Sequence, residues 1–256
     1  MSSIAHRTTA ALAGLLLVTT LAACDQTPSA VDTDSPEATT PATSDGPVRV
    51  MPLGDSITEG YRNDVTWRWF LWQQLLDAGY QVDFVGSQRG AYRGRPKLRD
   101  FDQDHEGHWG WQAQTAARRA ERWAREAQPD VVLVHLGTND LASRQGVPRT
   151  RAALGRIVAA LRRANPSVTV LLAQLIPLDR RERLVVALND EIAELAGEES
   201  TAQSPVVVVD QFTRFDVDRM SDDGIHPNVV GQARMADRWY AALAPVLDRL
   251  GGRQTP

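Results

Sequence analysis

Five short runs rich in β-branched residues recur at wide spacing between Val48 and Asp210, and no other feature limits the possible folds as strongly. They are Val48 to Leu53, Gln81 to Val85, Val131 to Leu136, Val168 to Gln174 and Val206 to Asp210. The gaps leave room for helices, and helices are what parallel strands use to cross from one to the next. The periodicity agrees. Trp69, Trp72 and Leu76, joined by Leu71 and Leu75, form a helical stripe that stops at Gly79, a residue suited to the position after a helix. Further helices are expected over Gln112–Ala127, around Leu154, Ile157, Val158 and Leu161 as far as Asn165-Pro166, and near Arg183–Ala196. A last one is expected over Val229–Leu247, where Pro245 should bend or end it. The runs Val131–Leu136 and Val206–Val209 are almost wholly apolar, which fits strands buried on both sides. The pattern predicts a parallel sheet covered on both faces, with ligands bound beyond the carboxyl ends of its strands.

Not all of the 256 residues are available to that sheet. Residues 1–23 begin with a basic start, continue through an apolar stretch from Ala10 and end in small residues. The stretch falls short of the roughly 20 residues needed to span a bilayer, so it reads as an export signal. Leu21-Ala22-Ala23-Cys24 resembles the bacterial lipobox, which makes Cys24, the only cysteine, the expected lipidation site. Ordinary secretion with an accidental cysteine is the alternative. From Cys24 to Pro47 the chain is Thr, Ser, Pro, Asp and Ala with hardly a large apolar side chain, a composition that cannot offset its own chain entropy. It is expected to be a disordered tether, followed by a folded domain over residues 48–250 and a flexible tail over 251–256. A diacylglyceryl group would give stable anchoring, placing the domain at the outer face of the cell membrane. With one cysteine there is no intrachain disulfide, and a net charge of -4 gives no footprint for nucleic acid.

Three of the expected strands are followed by unusual residues. After the first comes Gly54-Asp55-Ser56-Ile57-Thr58-Glu59-Gly60, which places a serine at the sheet edge beside free backbone N–H groups. Thr58 stands where a G-x-S-x-G elbow has its second glycine, and taken alone the segment reads equally well as a turn or helix cap. After the third comes Gly137-Thr138-Asn139-Asp140, either a turn or an amide poised as an oxyanion donor. Beyond the last lies Asp223-Gly224-Ile225-His226-Pro227, where an acid three residues before a histidine can hold Nδ1–H and leave Nε2 as a base. By itself this too could be a capping aspartate beside a surface histidine. A fourth segment, Asp104-His105-Glu106-Gly107-His108-Trp109-Gly110-Trp111, offers a backbone N–H at Gly110. His105 and His108 lack the i, i+4 spacing of a helical zinc motif and no further ligand cluster accompanies them, so no metal is expected. His135, inside an apolar run, reads as a core histidine.

Together and in this order, the four segments resemble the SGNH/GDSL superfamily of hydrolases, named for a Ser, Gly, Asn and His in successive blocks. Met51-Pro-Leu-Gly-Asp-Ser-Ile-Thr-Glu-Gly60, Val82-Asp-Phe-Val-Gly-Ser87, Asp104-His-Glu-Gly-His108 and Asp223-Gly-Ile-His-Pro-Asn228 are similar to carbohydrate esterase family 3, the acetylxylan-esterase-like branch. The resemblance implies a three-layer α/β/α sandwich, flavodoxin-like, with a five-stranded, mostly parallel sheet. It implies Ser56 as nucleophile, Asp223 and His226 as its partners, and the Ser56 and Gly110 N–H groups with the Asn139 amide as oxyanion hole. Trp109 departs from the small residue, such as serine, expected before that glycine.

The activity so implied is hydrolysis of ester bonds, removing acetyl groups from polysaccharide or oligosaccharide through an acyl-enzyme without any cofactor. A lipid or aryl ester hydrolase on the same frame is the first alternative. A surface lipoprotein that binds glycan without catalysis is the second. Trp109 and Trp111 flank the proposed oxyanion glycine and are candidate substrate contacts, whereas the other tryptophans at helical spacing read as core. The cluster Arg89, Arg93, Arg95, Lys97 and Arg99 could grip an acidic sugar, but Asp100, Asp102 and Asp104 follow at once and favour a solvated loop.

Overall fold

A computed structural model describes residues 46–143 and 145–253. The signal, Cys24 and the tether as far as Asp45 lie outside the described residues. The strands are β1 (Val48–Gly54), β2 (Val82–Phe84), β3 (Gln88–Arg89), β4 (Asp104–Gly107), β5 (Val131–His135), β6 (Thr169–Ala173) and β7 (Val206–Val209). The helices are α1 (Ser56–Glu59), α2 (Trp67–Asp77), α3 (Ala113–Ala117), α4 (Ala120–Ala127), α5 (Thr138–Ala142), α6 (Val147–Ala164), α7 (Glu182–Glu199), α8 (Val217–Met220) and α9 (Val229–Arg249). The sheet order is β3-β4-β1-β5-β6-β7, and β2 also pairs with β1. Every pairing is parallel except β3 with β4.

Alternation within the strands creates two cores. Met51, Leu53, Val132, Val134, Val170 and Leu172 point into a layer with Trp123, Leu154, Ile157, Val185 and Leu188 from α4, α6 and α7. Their neighbours Val48, Val50, Val131, Leu133 and Leu171 point the other way, onto Trp67, Leu71, Trp239 and Leu243 from α2 and α9. Both faces are therefore apolar, which is why these strands read as continuous hydrophobic runs. The result is the expected three-layer sandwich.

Four details differ from expectation. The sheet has seven strands instead of five, because β3 and the polar segment Asp104–Gly107 join it at the β1 edge. The helix expected over Gln112–Ala127 is stepped at Arg118-Arg119; its buried face, Ala113, Ala116, Ala120, Trp123 and Ala124, runs through the step without a change of phase. The buried side of α2 is Trp67, Arg68, Leu71 and Leu75, while Leu76 is 49% exposed. Pro245 does not end α9, which continues to Arg249; having no N–H, it leaves the Ala241 carbonyl without its helical donor. The expected free tail is also corrected at its start. Gly252 accepts a hydrogen bond from the Gln81 N–H (2.8 Å), and Arg253 donates to Asp248 (2.7 Å) and Tyr80 (2.8 Å).

Candidate active site

The end of β1 sets the position of Ser56. Asp55 caps α1, its Oδ1 accepting the Ile57 N–H at 3.0 Å, while its carbonyl accepts from Thr58 and Glu59 at 3.1 and 2.9 Å. Ser56 is thereby fixed as the first residue of the helix, 6% exposed, and its own N–H meets no protein acceptor among the described residues. Gly54 is required for this turn. A Cβ there would lie 2.1 Å from Thr58 Oγ1 and 2.8 Å from the His135 carbonyl. The buried Thr58 side chain thus fills the space above Gly54, which explains how a threonine occupies the second glycine position of an elbow.

His226 reaches Ser56 from the loop between α8 and α9. Its Nε2 is 3.0 Å from Ser56 Oγ, and its Nδ1 is 2.7 Å from Asp223 Oδ2. The other Asp223 oxygen accepts the backbone N–H groups of Ile225 (2.9 Å) and His226 (2.7 Å). Burial pushes the Asp223 carboxyl up, but donation from the His226 ring and these two N–H groups prevails, leaving it below its ordinary value. An ionised Asp223 can only accept, so Nδ1 carries the proton and the Nε2 lone pair faces the serine hydroxyl.

Two further donors lie nearby. Gly110 has φ +75°, a backbone conformation that side-chain-bearing residues rarely adopt, and its N–H has no protein acceptor among the described residues. Its neighbour Trp109 donates its N–H to Glu59 Oε2 at 2.6 Å, which ties this turn to the helix that begins at Ser56. Asn139, in α5 beyond the end of β5, donates through Nδ2 to the Trp111 carbonyl (3.0 Å) and more distantly to Asp55 Oδ2 (3.3 Å). A serine, an imidazole and a carboxylate in hydrogen-bonded series, beside unpartnered N–H groups, form a constellation suited to acyl transfer.

Residues 53–234 match the model of the GDSL-like Lipase/Acylhydrolase family. The chain belongs to that family. Among solved structures it is similar to a carbohydrate esterase family 3 protein from Talaromyces cellulolyticus, at 36% identity, with 78% of this chain and 98% of that one covered and a TM-score of 0.72. An acetyl esterase mutant solved with an acetate ion gives 35% identity, the same coverage and a TM-score of 0.72. An acetylxylan esterase of Xylanibacter ruminicola is 28% identical over 229 residues, 79% of this chain and 44% of that protein. The chain spans between 31% and 61% of the length of the curated relatives it matches.

This member of the GDSL-like family has a cleft of about 530 Å³ beside His226, lined also by Tyr61, Asn63, Asp64, Lys97, Trp109 and Asp222. Trp109 forms part of its wall. Trp111 is not among the residues lining it. Its ring stacks on His108 at 4.1 Å, lies 5.7 Å from Trp123 and carries the Arg119 guanidinium 5.2 Å above it. The basic loop disperses: Arg89 pairs with Asp104, Arg93 lies over Tyr92, and Lys97 alone of the five lines the cleft. His105 and His108 part company too. His105 Nδ1 accepts the Gly107 N–H (2.9 Å), and His108 Nε2 sits 2.6 Å from Glu106 Oε1. Among the described residues no cluster of three or more His, Cys, Asp or Glu is disposed to hold a metal ion.

Three supporting residues escaped the sequence reading. Asp55 is fully buried, and burial pushes its carboxyl up to about 7. Burial also raises the Glu59 carboxyl, against the opposing pull of the Trp109 N–H. Arg68, buried on α2 and lowered by desolvation to about 9, donates to the carbonyls of Thr58, Glu59, Gly90 and Gln103 at 2.6 to 3.0 Å. It therefore pins α1 to two loops while keeping its charge at neutral pH. The one available signal was helical phase: Trp67, Leu71 and Leu75 are spaced i, i+4, i+8 and place Arg68 beside them on the inner face.

Proposed function

We propose that this chain is a serine esterase that removes acetyl groups from polysaccharide or oligosaccharide. The unbroken series Ser56–His226–Asp223, at 3.0 and 2.7 Å, carries the reading. Ser56 Oγ attacks the acyl carbonyl carbon as its proton passes to His226 Nε2, and Asp223 steadies the imidazolium that results. The oxyanion is received by the Ser56 and Gly110 N–H groups, with Asn139 turning a proton from its long contact with Asp55. His226 then protonates the departing sugar oxygen. Water attacks the acyl-enzyme with the same imidazole as base, releasing acetate and restoring Ser56. The acetyl-sugar specificity is supported by the relatives named for it and by the polar cleft walls, where Asn63, Asp64, Lys97 and Asp222 offer partners to hydroxyl groups.

The test compares p-nitrophenyl esters of increasing acyl length with acetylated xylo-oligosaccharides, wild type beside Ser56→Ala. Acetate release by wild type and a loss of roughly 10⁴–10⁶ in kcat for the variant are expected. Preference for long acyl chains would select the lipid-ester reading, and equal activity of both proteins would remove Ser56 from the mechanism. We further propose that Cys24 carries a lipid that holds the domain at the outer membrane face. An alkynyl fatty acid should label wild type and not Cys24→Ser; absence of labelling in both, or equal labelling, overturns the anchor.

A further inference from the structure

We propose that Trp109 is a positioning residue for His226: its indole fixes the tilt of the imidazole and favours the protonated ring formed when Ser56 gives up its proton. This rests on the reading of Ser56 and His226 as nucleophile and base. The rings of Trp109 and His226 are stacked, centroids 5.1 Å apart and planes 19° apart. The two hydrogen bonds of His226, to Ser56 and Asp223, are made through its ring nitrogens, whose N–H and lone pair point along the ring plane. They resist sliding but leave the ring free to rock about the line that joins them. Beyond the tether through Cβ, a contact on its face opposes that motion. The face of an aromatic ring also carries the negative lobe of its quadrupole, which attracts a cation within about 6 Å.

The indole is itself held firmly enough to act as a stop. Tyr92 stacks on it at 4.7 Å and 18°, Tyr61 packs at 5.6 Å, and its backbone N–H is bound by Glu59 at 2.6 Å. A small side chain at this position would have left the imidazole face bare, so the contact depends on the residue by which this chain departs from the expected pattern. It also links two parts of the mechanism, since the residue that bears on the base immediately precedes the Gly110 donor. The charged groups around His226 are Asp222 and Asp223 on its own loop, Asp55 at the start of α1, and Asp64 and Lys97 on the cleft walls. Glu59 holds residue 109 from α1 through the backbone N–H, a bond that substitution of the side chain leaves in place; all of these groups are common to the Ala and Phe variants, so a difference between those two reports the aromatic face.

The experiment uses p-nitrophenyl acetate, a substrate with no sugar to stack. Trp109→Ala should lower kcat/KM by a factor of about 2–5 and move the acid limb of its pH profile downward by about 0.4–0.7 unit. Trp109→Phe, which keeps an aromatic face, should recover most of both effects, and matching melting curves identify the folded variants. The proposal is overturned if Trp109→Ala keeps the wild-type rate and limb on this ester while KM for acetylated xylo-oligosaccharide rises, for the tryptophan is then a sugar contact only. An unmoved limb with Phe no better than Ala overturns it equally. Ser56→Ala runs in parallel: its inactivity assigns a null result at 109 to this proposal alone, whereas its activity overturns the catalytic reading beneath it.

Discussion

Asp55 is a carboxylate in a place that opposes its charge, and replacing it by asparagine should stabilise the protein increasingly as pH rises. The side chain is fully buried, with Ile57 N–H and the long Asn139 contact as its hydrogen bonds, and burial lifts its titration from 3.8 to about 7. The folded state therefore binds this proton more tightly than the unfolded chain. Stability from this group is complete below the unfolded value and is lost as pH climbs through the folded one. Linkage over the interval from pH 5 to pH 8 makes that loss about 3 kcal/mol. In Asp55→Asn the amide oxygen still caps Ile57, but nothing titrates. Loss of the 3.3 Å contact to Asn139 costs the same at every pH, so the slope is diagnostic and the absolute stability is not. Urea unfolding of both proteins at half-unit steps measures it directly. Variant minus wild type should grow by about 3 kcal/mol between the two ends, or on the order of 6–12 °C in melting temperature for a domain of this size. Parallel curves would refute the reasoning, because they would mean that Asp55 is solvated or compensated in a way its burial denies.

Other perturbations follow from the same geometry. His135 is fully buried with neither ring nitrogen hydrogen-bonded, and burial lowers it to about 4 from 6.5. Its cost is absent above the unfolded value and grows as pH falls toward the folded one, so His135→Leu should be more resistant than wild type at pH 4.5 by about 2–3 kcal/mol relative to pH 8, read from urea midpoints. Asn139→Ala should lower kcat by about 10²–10³ in steady-state assays with p-nitrophenyl acetate. Unchanged turnover would leave the oxyanion to the backbone N–H groups alone. Gly54→Ala forces a methyl against Thr58 and the His135 backbone, 2.1 and 2.8 Å away, and should cost more than about 3 kcal/mol of unfolding free energy together with the Ser56 geometry. Wild-type melting and activity in that variant would contradict the close approach.

What could be read from residue types alone, and what could not, divides along a physical line. Strands β1, β5, β6 and β7 were legible because burial on both faces demands apolar side chains at most positions, and composition records that demand. β4 was not, since Asp104-His105-Glu106-Gly107 is polar, and its burial depends on partners elsewhere: Ser87 donates to Glu106, and His108 closes on the same carboxylate. The stripe read for α2 held both Leu75 and its neighbour Leu76, and only the packing of Trp67 and Leu71 against α9 chooses Leu75 as the inner one. The candidate site follows the same rule. Ser56, Asn139 and His226 stand at strand ends or on a connecting loop, where polar residues in a fixed order are informative. Asp55, Glu59 and Arg68 are equally polar residues on early elements, but their work consists of contacts made across the fold: Glu59 to a backbone N–H fifty positions away, Arg68 to carbonyls of two loops, Asp55 to the amide of α5. Helical phase could place Arg68 on an inner face, but no local pattern names the partners of any of the three. Trp109 is the instructive middle case, because its departure from pattern was visible at once, while its stacking on His226 required the chain to be folded before the anomaly acquired a use.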